Sequence, residues 1–179
     1  MALEIPDSLL NLEANCGVFA VWMLLQHHGV HIDIEELIQL CRHDRQDGTF
    51  TIALAVALKK IGFKVSFHSD PDLNIDRTER QSYTEAKALR IPIEPALSYA
   101  QIQKEIAQGN MVIVYYDTLD EVGNQSLVYS IDDQDIYFFD NFESMPALVF
   151  EQQRKAEGIC RQAIVINDRG VQLQSTVRN

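Results

Sequence analysis

"NCGVFAVWMLLQHHG", residues 15 to 29, decides the fold. From Gly17 to His28 there is no proline, and Val18, Phe19, Ala20, Val21, Trp22, Met23, Leu24 and Leu25 run without a break. A helix that is apolar all round has no face to give to water, so this one is expected at the centre of a core. Gly29 supplies a natural C-terminal stop. Cys16 stands at or next to the helix start, where unpaired N–H groups and the positive end of the helix dipole favour a thiolate. The same N–H groups can hold the oxyanion of a tetrahedral intermediate. Gly17 would let a substrate carbonyl come close to the backbone. Cysteine also fills core space as a small apolar side chain, and N-C-G alone leaves both readings open.

The flanking sequence builds outward from this helix. Asp33 is an N-cap for "IEELIQLCRH", in which Ile34, Leu37, Ile38 and Cys41 recur on one helical face. "GTFTIALAVALKKIG" predicts a threonine-capped apolar helix ended by Gly62, ahead of the strand-like "FKVSFH". Residues 78–90 predict a more polar helix, and Ser98 caps another, "YAQIQKEIAQG". Four strands follow from "MVIVYY" (111–116), "SLVYSI", "DIYFF" and "QAIVI" (162–166). Helices first and strands second predict an α+β domain with an antiparallel sheet against a helical half.

A 179-residue chain, 46% hydrophobic and without repeats or long linkers, is expected to form one domain over 1–179, with its core at about 9–166. A net charge of −11 argues against nonspecific nucleic-acid binding and against attachment to an anionic membrane. No apolar run is long enough to insert in a membrane, and no secretory leader is evident, so a cytoplasmic location is expected. Cys16, Cys41 and Cys160 are too few, and odd in number, for a disulfide framework; free thiols are expected.

The order of Cys-Gly, buried helix and "HHG", then "DGTFTIALAVALKKIGF", "IQKEIAQGNMVIVYYD" and "LVYSIDDQDIYFFDN", resembles the papain-like cysteine peptidases of the C39-like group. The likeness spans roughly Leu9 to Ile166. It implies a papain-like fold, peptide or amide substrates and a nucleophile at Cys16. In that group a histidine precedes the Asp-Asp turn by eight residues, and an aspartate sixteen residues after the histidine orients the imidazole. Counted from Asp132, the histidine place is Asn124, and the orienting place is Asp140. The usual oxyanion-hole glutamine, six residues before the cysteine, is here Leu10, with Asn11 adjacent as a candidate donor. The usual proline after the orienting aspartate is Asn141.

A carboxamide at position 124 cannot titrate, so it cannot take the thiol proton or return one to a leaving amine. Two functions follow. One is a thiol hydrolase or acyl-transfer scaffold with an impaired base or one drawn from elsewhere; the other is an inactive pseudopeptidase that holds a peptide or protein partner in its cleft. His27 and His28 lie roughly 17 Å along the helix from Cys16 and cannot serve. His31 and His43 read as solvated, which leaves His68, at a strand end, as the one histidine without a place. His28, His31, Cys41 and His43 lack paired metal-site spacing, and Asp132, Asp133 and Asp135 read as a turn, so no metal is expected. No phosphate-binding glycine motif occurs, and no cofactor is expected.

Overall fold

The computed structural model describes residues 4–118 and 122–167. In chain order these are α1 (Asp7–Leu10), α2 (Cys16–His27), α3 (Ile34–Leu40), α4 (Thr51–Ile61), β1 (Lys64–Ser69), α5 (Arg77–Ala88), β2 (Ile93–Pro95), α6 (Tyr99–Ala107), β3 (Met111–Asp117), β4 (Gly123–Ile131), β5 (Asp135–Phe138), β6 (Asn141–Pro146), α7 (Ala147–Arg154) and β7 (Ala163–Asn167).

The seven strands form one sheet in the order β2-β1-β7-β3-β4-β5-β6. All neighbours pair antiparallel except β1 and β2, which run parallel. Helices α2 to α5 cover one face. There α2 is buried at Val18, Val21, Leu24 and Leu25, and packs with Ile52, Leu54 and Leu58 of α4 against Phe67, Ile113, Leu127 and Ile164 of the sheet. The other face is covered as well. On it α6 and α7 bury Ile102 and Phe150 against Val112, Val114, Tyr116, Val128 and Phe138. Tyr116 stacks on Phe138, with ring centroids 5.2 Å apart.

Local signals explain most helix boundaries. Asp33 accepts from the N–H groups of Glu35 and Glu36, Asp76 from that of Thr78, and Ser98 forms a capping box with Gln101. Gly29 and Gly62 take positive φ after α2 and α4. The expected threonine cap of α4 is a departure: the N-cap is Phe50, with no side-chain bond, because Thr51 Oγ1 is turned to a side chain of β4. Among the described residues no helix is long and apolar enough to cross a membrane.

Candidate active site

Cys16 is the first residue of α2, and its N–H groups are not closed off by a side chain. Asn15, the N-cap, makes no capping bond; its Nδ2 donates instead to Leu9 O at 2.8 Å. The start of this largely buried helix is thereby left open to whatever lies in front of it. In front of it lies the N-terminal half of β4.

The group that meets the thiol is Gln125. Cys16 Sγ donates to Gln125 Oε1 at 3.1 Å. Gln125 is 4% exposed, and its amide is gripped on the other side, where Nε2 donates to Thr49 O at 2.7 Å and to Thr51 Oγ1 at 3.3 Å. The loop that carries Thr49 is itself braced: Asp44 and Gly48 exchange backbone bonds, and Asp44 Oδ1 accepts from the N–H groups of Gln46 and Asp47. Gly17 makes the contact possible. A Cβ there would stand 2.9 Å from Gln125 Oε1 and 3.1 Å from Leu54 Cδ1. The carbonyl that approaches Gly17 is therefore the protein's own.

Asn124, expected opposite the thiol, lines the same cleft as Cys16, but its amide is spent on other partners. Its Nδ2 donates to Tyr116 OH at 2.9 Å and to Ser126 Oγ at 3.0 Å. The next residue along β4, Gln125, is the one whose side chain touches the thiol. Ser126, fully buried, donates to Asp140 Oδ2 at 2.9 Å. Asp140 thus joins Asn124, Ser126 and Tyr116 in one polar cluster, and no histidine is there for it to orient. Asn11 is not brought to the site: its Nδ2 donates to Asp7 O at 2.9 Å, closing the short α1.

The histidines are placed elsewhere. His68 bonds Ser66 Oγ and Pro95 O on β1, which β7 and β3 separate from β4 by roughly 14 Å in all. His43 is not simply solvated; it lies between Thr49 Oγ1 at 3.0 Å and Glu13 O at 2.9 Å, behind the loop. His27 and His28 sit at the far end of α2. In the turn after β4, Asp132 Oδ1 accepts from the N–H groups of Gln134 and Asp135. Among the described residues no group of three His, Cys, Asp or Glu side chains could hold a metal ion.

Burial raises the Cys16 thiol above the ordinary thiol value, and Asp140 adds to the rise, while backbone hydrogen bonds at Gln125, Gly17 and Cys16 itself oppose it. Burial outweighs these opposing bonds and favours the protonated thiol. Asp140 is also raised, by desolvation, against the Ser126 hydrogen bond. Burial raises Tyr116 as well.

Two clefts open onto the thiol and its partner. One, of about 380 Å³, is lined by Asn15, Cys16, Asp47, Tyr115, Asn124 and Gln125 among others. The second, of about 490 Å³, adjoins it through Thr49, Tyr115 and Gln125 and carries Asp72, Asp76, Glu79, Glu157 and Cys160. Tyr115 stands in both; its ring lies over Gly123, where a Cβ would meet the Tyr115 hydroxyl. Sequence reasoning missed Gln125, Thr49, Thr51, Tyr115, Tyr116 and Ser126.

Residues 9–83 match the model of the Peptidase C39 family, which is less than half of the chain. The solved peptidase domain of Streptococcus ComA, a bi-functional ABC transporter involved in a quorum-sensing pathway, is similar in fold. Its TM-score is 0.54 at 16% identity, over 92% of this chain and 95% of that one. No curated protein matches the chain. The fold is that of a papain-like, C39-type peptidase domain.

Proposed function

We propose that this chain is a cysteine-peptidase scaffold that holds an extended peptide in the joined clefts and does not turn it over by hydrolysis. The observation that carries this reading is the 3.1 Å contact between Cys16 Sγ and Gln125 Oε1. A carboxamide has no pKa near neutrality, so the group touching the nucleophile cannot store its proton as a general base or return one to the leaving amine of a bound peptide. Burial keeps the proton on sulfur. Loss of a member of a catalytic triad removes several orders of magnitude in rate while binding remains. The alternative of an active hydrolase with a base from elsewhere loses support, because His43 and His68 spend both ring nitrogens on other partners.

What the likeness contributes is the substrate class. Clefts between helix and sheet at a papain-like thiol take an extended chain, and Tyr115, Asp47 and Asn124 offer it apolar and hydrogen-bonding walls. The test uses a defined library of synthetic peptides incubated with the full chain and with Cys16→Ser. Retention of the same peptides by both proteins, with no new peptide termini, is the expected outcome. New termini that appear with the wild type and vanish with Cys16→Ser overturn the reading.

A further inference from the structure

We propose that Cys16 and Gln125 close an intramolecular thioester, and that a primary amine entering the cleft is captured covalently on Gln125. This goes beyond peptide holding and does not depend on it. Its basis is that the Gln125 carboxamide sits as a substrate amide would: its oxygen lies against Gly17 at the open start of α2, and the thiol touches the same oxygen. The carbonyl carbon is one bond away from that oxygen. Thr49 and Thr51 hold the amide from behind, and the whole side chain is buried, so thiol and carboxamide are kept in contact.

The step balances without an oxidant or reductant. Sγ bonds to Cδ of Gln125 as the thiol proton passes along the existing Sγ–H···Oε1 hydrogen bond to the oxygen. The oxygen of the tetrahedral adduct lies beside Gly17 at the start of α2. The adduct collapses, the Cδ–Nε2 bond breaks, the proton moves to nitrogen, and neutral ammonia leaves. The products are a Cys16–Gln125 thioester and one ammonia.

The same features that disable hydrolysis protect this product, since no imidazole touches the site to activate water. An amine needs no such help. A neutral primary amine adds to Cδ, expels the Cys16 thiol and leaves a substituted amide at position 125. Among the described residues lining the two clefts there are five carboxylates, Asp47, Asp72, Asp76, Glu79 and Glu157, and no lysine or arginine. Such walls concentrate ammonium groups, from which the reacting free amine is drawn, and make lysine side chains and polyamines the fitting class.

The experiment is intact-mass spectrometry of the folded full chain, aged at neutral pH in a buffer without amines or thiols. The expected result is a species lighter than the sequence mass by one ammonia, with Cys16 refractory to alkylation and with Cys16 and Gln125 joined in one acid-digest peptide. Methylamine then converts it to a species heavier by methylamine, with the added group on Gln125. Gln125→Ala and Cys16→Ala, each verified as folded by circular dichroism, keep their full mass. The inference is overturned if the folded wild type keeps its full mass and a free Cys16 thiol, or if either variant loses ammonia equally. No peptide is present in this assay, so its failure leaves the peptide-retention result standing, and the reverse also holds.

Discussion

Replacing Gln125 with histidine should return a base to the thiol. The imidazole Nε2 lies as many bonds from Cβ as the Gln125 Oε1 that now stands 3.1 Å from Cys16 Sγ, so the ring reaches the same place. The nearest acceptor for the other ring nitrogen, as N–H, is on the side of Thr49 O, which now receives the amide and which the ring meets after a small shift, because Nδ1 is one bond nearer Cβ than the glutamine Nε2. That bond would fix the tautomer, the task expected of Asp140. An imidazolium in contact with the sulfur favours the thiolate, and each unit by which the thiol pKa falls is worth about 1.4 kcal/mol, or tenfold in thiolate at neutral pH. The readout is the rate of iodoacetamide alkylation of Cys16 against pH. The reference is Gln125→Ala, which has neither imidazole nor thioester. Gln125→His should alkylate at least tenfold faster at pH 7, with a second inflection from the imidazole. A general base of this kind contributes about 10²–10⁴ in rate, so cleavage of library peptides should emerge in the same variant and vanish with Cys16→Ala. If Asn124→His activates Cys16 and Gln125→His does not, the register described here is wrong.

Three further outcomes are expected. Gly17→Ala puts a Cβ 2.9 Å from Gln125 Oε1 and should cost about 1–3 kcal/mol in denaturant unfolding. Combining it with Gln125→Ala should recover part of that cost, and strict additivity would show that the contact is not the cause. Asp70 is held below the usual carboxylate range chiefly by the two 2.7 Å bonds from Arg161, so its contribution is full above its unfolded pKa of about 3.9 and is lost as pH falls through the lower folded value. Both partners are partly exposed, so the stability gap between wild type and Arg161→Met should be no more than about 1 kcal/mol at neutral pH and should close in acid. A gap that widens in acid contradicts this. Burial pushes the Cys41 thiol up to about 12, so it should resist alkylation at pH 8 until the chain is unfolded by denaturant. Labelling in the native state would show that the α3–α4 core opens.

The helical half was legible because its signals are local. Asp33, Ser98, Gly29 and Gly62 mark ends through their own hydrogen bonds or φ, and the apolar run of α2 left no alternative to a central position. What escaped was set by distant partners. β6 and α7 were not foreseen: "NFESMP" is a polar edge strand, and "ALVFEQQR" buries only Phe150 and Arg154 among its described residues. The site turned on parity. In "GNQSLVYSI" both Leu127 and Val128 are buried, because helices cover both faces of the sheet, so the alternation that would assign Asn124 or Gln125 to the α2 side is erased. Counting from Asp132 located the strand and a residue of the thiol cleft, but not the neighbouring side chain that touches the thiol. Cys16 itself was readable from its helix, whereas Thr49 and Thr51 look like ordinary helix-start residues until Gln125 is seen to bind them.

The carbonyl of Thr49 accepts hydrogen bonds and cannot give them, so it screens what can stand at position 125. An amide N–H satisfies it, an imidazole N–H satisfies it equally, and a carboxylate is repelled. Glutamine and histidine codons differ only in their third base. The loop that steadies this carboxamide therefore leaves the lineage one nucleotide from a titrating partner for its thiol, with no other part of the site rebuilt.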